Sequence, residues 1–293
     1  MMLRGALTAL VTPFRDDGSI DEPAFRQLVE RQLGEGIHGL VPCGTTGETP
    51  ALEHDEWERL VRVTVEIARG RVPVVAGTGT NNTAHSIART RRARELGAEA
   101  ALVVTPYYNK PNPEGLAAHF RAVAAEGGLP VVVYNVPGRT GLNASPEQVL
   151  RLAAIPGVAA VKEASGNLGQ ALGILERRPA GFSVLSGEDE LACAHTLMGG
   201  DGVISVVSNV HPAATVQMIE AALDGDAARA RRLHFELQEL IRALFAETNP
   251  VPAKAALARL GLCRDTVRPP LAAASEATRA RLERALAAVG LVP

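Results

Sequence analysis

Apolar positions along this chain come in two alternating textures. Short, almost uninterrupted apolar runs are separated by longer stretches in which Ala, Leu, Ile and Val recur every three or four positions among Arg and Glu. The short runs are GALTALVTP, HGLVPCG, VPVVAGTG, AALVVTPYY, LPVVVYNVP, GVAAVKEAS, FSVLSGE and DGVISVVSN. They lack the in–out alternation of half-exposed strands and read as strands of a parallel sheet covered on both faces. The longer stretches, among them 53–69, 82–97, 113–127 and 211–223, carry helical spacing. Eight strand–helix units within about 225 residues match a closed (β/α)8 TIM barrel. An open doubly wound sheet is the runner-up, but no GxGxxG follows the first strand. After residue 224 the pattern is helical alone, in DAARARRLHFELQELIRALFAE, PVPAKAALARLG and SEATRARLERALAAVG. The expected organisation is therefore a catalytic barrel over 1–224, with an α-helical region over 225–293 packed on it.

Composition narrows the function classes. The chain has 293 residues, 46% hydrophobic and 21% charged, as in ordinary globular proteins. A net charge of −2 without a basic block argues against nucleic acid and anionic membranes as partners. Three cysteines, Cys43, Cys193 and Cys263, without a CxxC pair fit a reduced, cytoplasmic setting. The opening MMLRGALTALVTPF reads as a first strand rather than a leader, and no apolar run is long enough to span a bilayer. The seven histidines are scattered, with no HxH or HExxH pattern, and most read as surface or helix-face residues; no metal site is expected. GTTGETP lacks the Gly-Lys-Ser/Thr of a phosphate-binding loop.

Chemistry in such a barrel sits at the C-terminal strand ends. Those ends read CGTTGE, AGTGTNN, TPYYNKP, YNVPGRTG, KEASGN, SGED and SVVSN, and all three tyrosines, Tyr107, Tyr108 and Tyr134, fall among them. Of 30 Lys+Arg residues only Lys110, Lys162 and Lys254 are lysine, and Lys162 stands inside an apolar run. Its neighbours Val158, Ala160 and Ala164 shield it from water, and a desolvated amine gives up its proton readily, as a guanidinium cannot. Adjacent strand positions face opposite ways, so Glu163 is a poor partner for it. A Schiff-base lysine condensing with a carbonyl substrate is the reading that follows. Tyrosine hydroxyls supply proton transfer, the GTTG turn offers hydroxyls and N–H groups to a carboxylate, and Arg139 can grip a second one.

Four motifs, GTTGE (44–48), TPYYNKP (105–111), YNVPGRTG (134–141) and VKEASGN (161–167), together resemble the dihydrodipicolinate synthase family of pyruvate-dependent class I aldolases. The resemblance implies that Lys162 forms the pyruvate imine and that Tyr134 is the central acid/base. Thr45 would relay protons to Tyr108, which in the family reaches across from a neighbouring subunit. Thr46, Gly187 and the backbone at Ile204 would hold pyruvate, and Arg139 would meet L-aspartate-4-semialdehyde. No cofactor is implied, and a homotetramer of tight dimers is. N-acetylneuraminate lyases and 2-keto-3-deoxy sugar-acid aldolases share the lysine, tyrosine and turn; Arg139 and the paired tyrosines favour the synthase. Lysine-inhibited members bind their end product at positions matching Thr49, Pro50, His54, Trp57, Asn81, His85 and Tyr107. A glutamate commonly stands where this chain has His85, and Trp57 would crowd the pocket, so weak or absent inhibition by lysine is expected.

Overall fold

The computed structural model describes residues 2–293. Its eight strands are β1 (Gly5–Ala9), β2 (Gly39–Val41), β3 (Val75–Gly77), β4 (Ala100–Val104), β5 (Val131–Asn135), β6 (Val158–Glu163), β7 (Ser183–Ser186) and β8 (Gly202–Ser205). All ladders are parallel, in the order β2-β1-β8-β7-β6-β5-β4-β3. Closure between the two ends is short: Leu40 bridges Val74, and the Gly77 N–H donates to the Pro42 carbonyl at 3.0 Å. The result is the (β/α)8 barrel that the pattern predicts.

Around it run α1 (Glu22–Gly34), α2 (His54–Ala68), α3 (Thr83–Glu95), α4 (Pro113–Gly127), the single turn α5 (Pro137–Thr140), α6 (Pro146–Ala153), α7 (Leu168–Leu175), α8 (Asp189–Leu197) and α9 (Pro212–Leu223). Local chemistry starts several of them. The Asn112 side chain accepts from the Gly115 N–H ahead of α4, and Ser145 with Gln148 closes a capping box on α6. The chain then continues as α10 (Ala227–Leu244), α11 (Val251–Arg259) and α12 (Glu276–Ala288). Helix α10 lies on α8 and α9, while α12 lies on α10 and α11.

Strand periodicity divides the core into two apolar layers. Val131, Val133 and Val161 face outward into the sheet–helix layer, while Val132, Tyr134, Ala160, Leu185 and Ile204 face the barrel axis. Runs that are apolar throughout are thus needed on both faces. Lys162 falls on the inward beat of β6, between Ala160 and Ala164.

Candidate active site

Register places the central pair. Tyr134 of β5 lies opposite Lys162 of β6, so both side chains point into the barrel. The lysine is 5% exposed, and its Nζ sits 4.3 Å from the centroid of the Tyr134 ring. Glu163 takes the opposite face. There it accepts from the Asn135 side chain at 3.0 Å, the Gln170 side chain at 3.2 Å and the Ser165 N–H at 2.9 Å, and so does not pair with Lys162. Gly187 follows β7 and donates its N–H to the Glu163 carbonyl at 2.7 Å. A Cβ at Gly187 would come within 2.9 Å of Lys162 Cε and 2.6 Å of Ala164 Cβ, so only glycine leaves the amine its present room. Ile204, fully buried on β8, belongs to the same inner layer as Tyr134 and Leu185.

The turn after β2 carries the two threonines. Cys43 (φ 55°) and Glu48 (φ 54°) flank it in the left-handed region, which costs a residue with a Cβ about 1–2 kcal/mol. Side chains from elsewhere hold it there. Thr12 Oγ1 donates to the Gly47 carbonyl at 2.8 Å, and Thr49 Oγ1 donates to the carbonyls of Gly44, at 2.9 Å, and Cys43. Thr46 is buried, and its hydroxyl accepts from Asn249 Nδ2 at 2.9 Å. The Asn249 backbone carbonyl in turn accepts from Arg139 Nη2 at 3.0 Å. One residue from the C-terminal helical region thereby ties the turn to the loop after β5.

Above the inner layer lies a cavity of about 260 Å³ whose lining includes Thr45, Tyr107, Tyr134, Val136 and Arg139. Tyr134 is the joint between it and Lys162. Of the residues singled out from the sequence, Lys162, Tyr134, Gly187 and Ile204 meet inside the barrel, while Thr45 and Arg139 meet at the cavity. Tyr108 joins neither; it is 89% exposed, with φ of 69°, and points away from its own cavity. Tyr107 lines the cavity in its place.

Sequence reasoning missed Asn249 and the acidic pair after Gly187. Asp189 is fully buried and accepts from Ser205 Oγ at 2.5 Å and the Val206 N–H at 2.9 Å, which fixes the end of β8 beside Ile204. Burial pushes the Glu188 carboxyl up to about 7; Asp189 and Glu163 add to the rise, and Lys162 and Arg139 oppose it. The SGED run at a strand end was the only sequence signal for these two. Asn249 gave none, lying 203 residues from Thr46.

His119 and His195 lie on buried faces of α4 and α8, and burial lowers each to about 4. One expectation is corrected. Trp57 does not crowd an effector pocket: it is fully buried and its indole N–H donates to the Gly77 carbonyl at 2.9 Å. Outside it lies a cavity of about 400 Å³ lined by His54, Thr80, His85, Ala88, Arg89 and Arg92, with no carboxylate in the lining. Among the described residues no cluster of three or more His, Cys, Asp or Glu side chains is placed to hold a metal ion, and no helix is long and apolar enough to cross a membrane.

Known proteins match the chain along its whole length. A relative from Thermomicrobium roseum called 4-hydroxy-tetrahydrodipicolinate synthase is 55% identical over 286 residues, 98% of this chain and 94% of that one. One of the same name from Maridesulfovibrio salexigens is 50% identical over 293 residues, covering all of both chains. The crystal structure of dihydrodipicolinate synthase from Thermotoga maritima superposes with a TM-score of 0.97 at 42% identity, covering 100% of both chains. The sequence model described as the dihydrodipicolinate synthetase family matches residues 2–289, and the chain belongs to that family.

Proposed function

We propose that the chain is a 4-hydroxy-tetrahydrodipicolinate synthase, a lyase of lysine and diaminopimelate biosynthesis that condenses pyruvate with L-aspartate-4-semialdehyde. The observation that carries this reading is the buried amine of Lys162, held in no direct ion pair among the described residues and packed against the Tyr134 ring, beneath a cavity rimmed by Thr45 and Arg139. The Lys162 amine adds to the keto carbon of pyruvate, water leaves, and an imine forms. Loss of a proton from the methyl carbon gives an enamine, whose terminal carbon attacks the aldehyde carbon of the second substrate. The new alkoxide takes a proton. The substrate's own amine then attacks the imine carbon, closes the ring and expels Lys162 as free amine.

Tyr134, whose ring packs against Lys162, is the acid/base for these transfers. Thr45 passes protons outward towards Tyr108 of a neighbouring copy, because this chain's own Tyr108 faces away. Thr46 and the Ile204 backbone hold the pyruvate carboxylate, and Gly187 leaves room for it. Arg139 meets the carboxylate of L-aspartate-4-semialdehyde, with Asn249 steadying its guanidinium. The assembly is a cytoplasmic homotetramer of tight dimers, and no cofactor takes part.

Borohydride trapping with pyruvate, followed by peptide mass analysis, tests the first step. The adduct is expected on the peptide containing Lys162; an unlabelled peptide overturns the reading. Arg139→Ala tests the second substrate. It is expected to lower kcat/KM for L-aspartate-4-semialdehyde roughly ten- to a hundredfold, the loss of a charge-assisted contact, while imine formation with pyruvate stays near wild type. Equal damage to both steps would give Arg139 a general organising part instead. Cleavage of N-acetylneuraminate with no use of the semialdehyde would move the chain to a sugar-acid aldolase.

A further inference from the structure

Helix α11 brings Lys254 against the Gly44–Glu48 turn. Its Nζ donates to Glu48 Oε1 at 2.7 Å, and the two side chains are 0% and 2% exposed. The other carboxylate oxygen accepts from the backbone N–H of Arg268 at 2.9 Å. Phe14 sits between the two cations, with Lys254 Nζ 4.2 Å and Arg268 Cζ 4.3 Å from its ring centroid. An ammonium and a carboxylate buried together are seldom the most stable filling of such a space; apolar side chains of similar volume commonly do as well or better. What the pair supplies is position.

Glu48 is where that position matters. Its backbone N–H donates to the Thr45 carbonyl at 3.0 Å, and its own carbonyl accepts from the Ala51 N–H at 2.8 Å. Its left-handed φ sets the direction in which the chain leaves the turn. The carboxylate of one residue, anchored 206 positions away in sequence, therefore fixes the exit of the segment that presents Thr45 and Thr46. Asn249, two residues before α11, holds the Thr46 hydroxyl from the other side.

We propose that Glu48 and Lys254 are positioning residues for the reaction: their buried ion pair holds Thr45 and Thr46 in place over Lys162 and Tyr134. This rests on the parts assigned above to the two threonines. A pair that only fastened the C-terminal helices to the barrel would affect folding and leave the chemistry of the folded enzyme unchanged.

The test uses the full chain in two variants. Glu48→Asp keeps the charge but draws the carboxylate back by one methylene. Glu48→Gln/Lys254→Met removes both charges at similar volume and keeps an acceptor for the Arg268 N–H. Melting temperature, kcat, KM for pyruvate and the borohydride-trapped imine are measured for each. Glu48→Asp is expected to stay folded at the assay temperature, though melting below the wild type, and to lose roughly ten- to a hundredfold in kcat, as a displacement on the order of 1 Å does, with a raised KM for pyruvate. The double variant is expected to show the same losses. A folded variant of either kind with unchanged kcat and KM overturns the proposal, as does a loss of kcat that merely tracks the loss of folded protein. If the double variant does not fold, Glu48→Asp decides by the same criterion. A wild-type chain that traps no imine at Lys162 is a separate result, and refutes the site reading rather than the part played by the ion pair.

Discussion

Two lysines lie buried in this molecule, each against an aromatic ring, and what else surrounds them differs. Lys254 has a carboxylate at 2.7 Å; Lys162 has no direct ion pair among the described residues and has an adjoining glycine. Burial lowers the Lys254 amine, and Glu48 pulls it back towards its ordinary value by direct contact. The outcome is a fixed cation that never meets substrate. Around Lys162 the nearest acidic neighbour in sequence, Glu163, is turned to the outer layer and occupied by Asn135, Ser165 and Gln170. On the proposed reading, the alternation of β6 turns Glu163 away and leaves the Lys162 amine, without a direct ion pair, to act as the nucleophile.

Breaking that contrast at Lys162 has the largest effect. Lys162→Ala is expected to abolish turnover while leaving the melting temperature unchanged or slightly raised, since a desolvated amine is removed and no partner is orphaned. A steep fall in thermal stability would mean that Lys162 is held by an ion pair after all. The mirror experiment is Lys254→Met, which strands Glu48 in the interior. Denaturant unfolding should report a loss of about 3–5 kcal/mol, the usual result of removing one partner of a buried pair. A loss below about 1 kcal/mol would show that Glu48 finds another cation.

The histidines extend the comparison to cations that burial excludes. His195 is neutral in the fold, lowered from 6.5 to about 4 chiefly by burial. Its contribution to stability is complete above pH 6.5. It is lost as pH falls towards 4, because the unfolded chain takes up the proton first. The full effect is about 3 kcal/mol at about 1.4 kcal/mol per tenfold change. Unfolding free energies at pH 7.5 and pH 5 should therefore lie closer together in His195→Asn than in the wild type; an identical gap in both would assign the acid sensitivity elsewhere.

The smallest effect is the absence of one. No carboxylate lines the cavity at His54 and His85, and the adjacent Glu58 is already paired with Arg92 and His54, while a contact to an ammonium is worth about 1.5–3 kcal/mol. Titrating lysine into the condensation assay near neutral pH should give weak inhibition or none. Half-inhibition at submillimolar lysine would contradict this and require an acidic group from a second copy.

The barrel was legible because its strands are apolar on both faces and its helices are periodic. All eight strands and the four helical stretches named from the pattern appear, and Lys162 stood out because lysine is so scarce here. What stayed hidden depends on contacts between distant segments. Glu48 was read only as the last letter of GTTGE, and Lys254 as one of three lysines, since nothing local connects positions 206 residues apart. His119 and His195 looked like ordinary helix residues because a sequence does not say which face of α4 or α8 meets the sheet. Trp57 was misplaced for the same reason: its face of α2 packs inward, where its N–H finds the Gly77 carbonyl.

The burial of Lys254 also bears on how the chain meets reactive carbonyl compounds in general. An aldehyde or keto acid can condense with any accessible amine, and an enzyme handling such compounds is exposed to them continually. Here the side-chain amines number three: one is sealed behind an ion pair, one stands beneath the cavity, and only Lys110 is open to solvent. Surface charge is carried by arginine, whose guanidinium stays protonated and is a poor nucleophile. Among the side-chain amines, a reagent directed at them in the folded chain should therefore mark Lys110 at once, Lys162 in competition with pyruvate, and Lys254 only after unfolding.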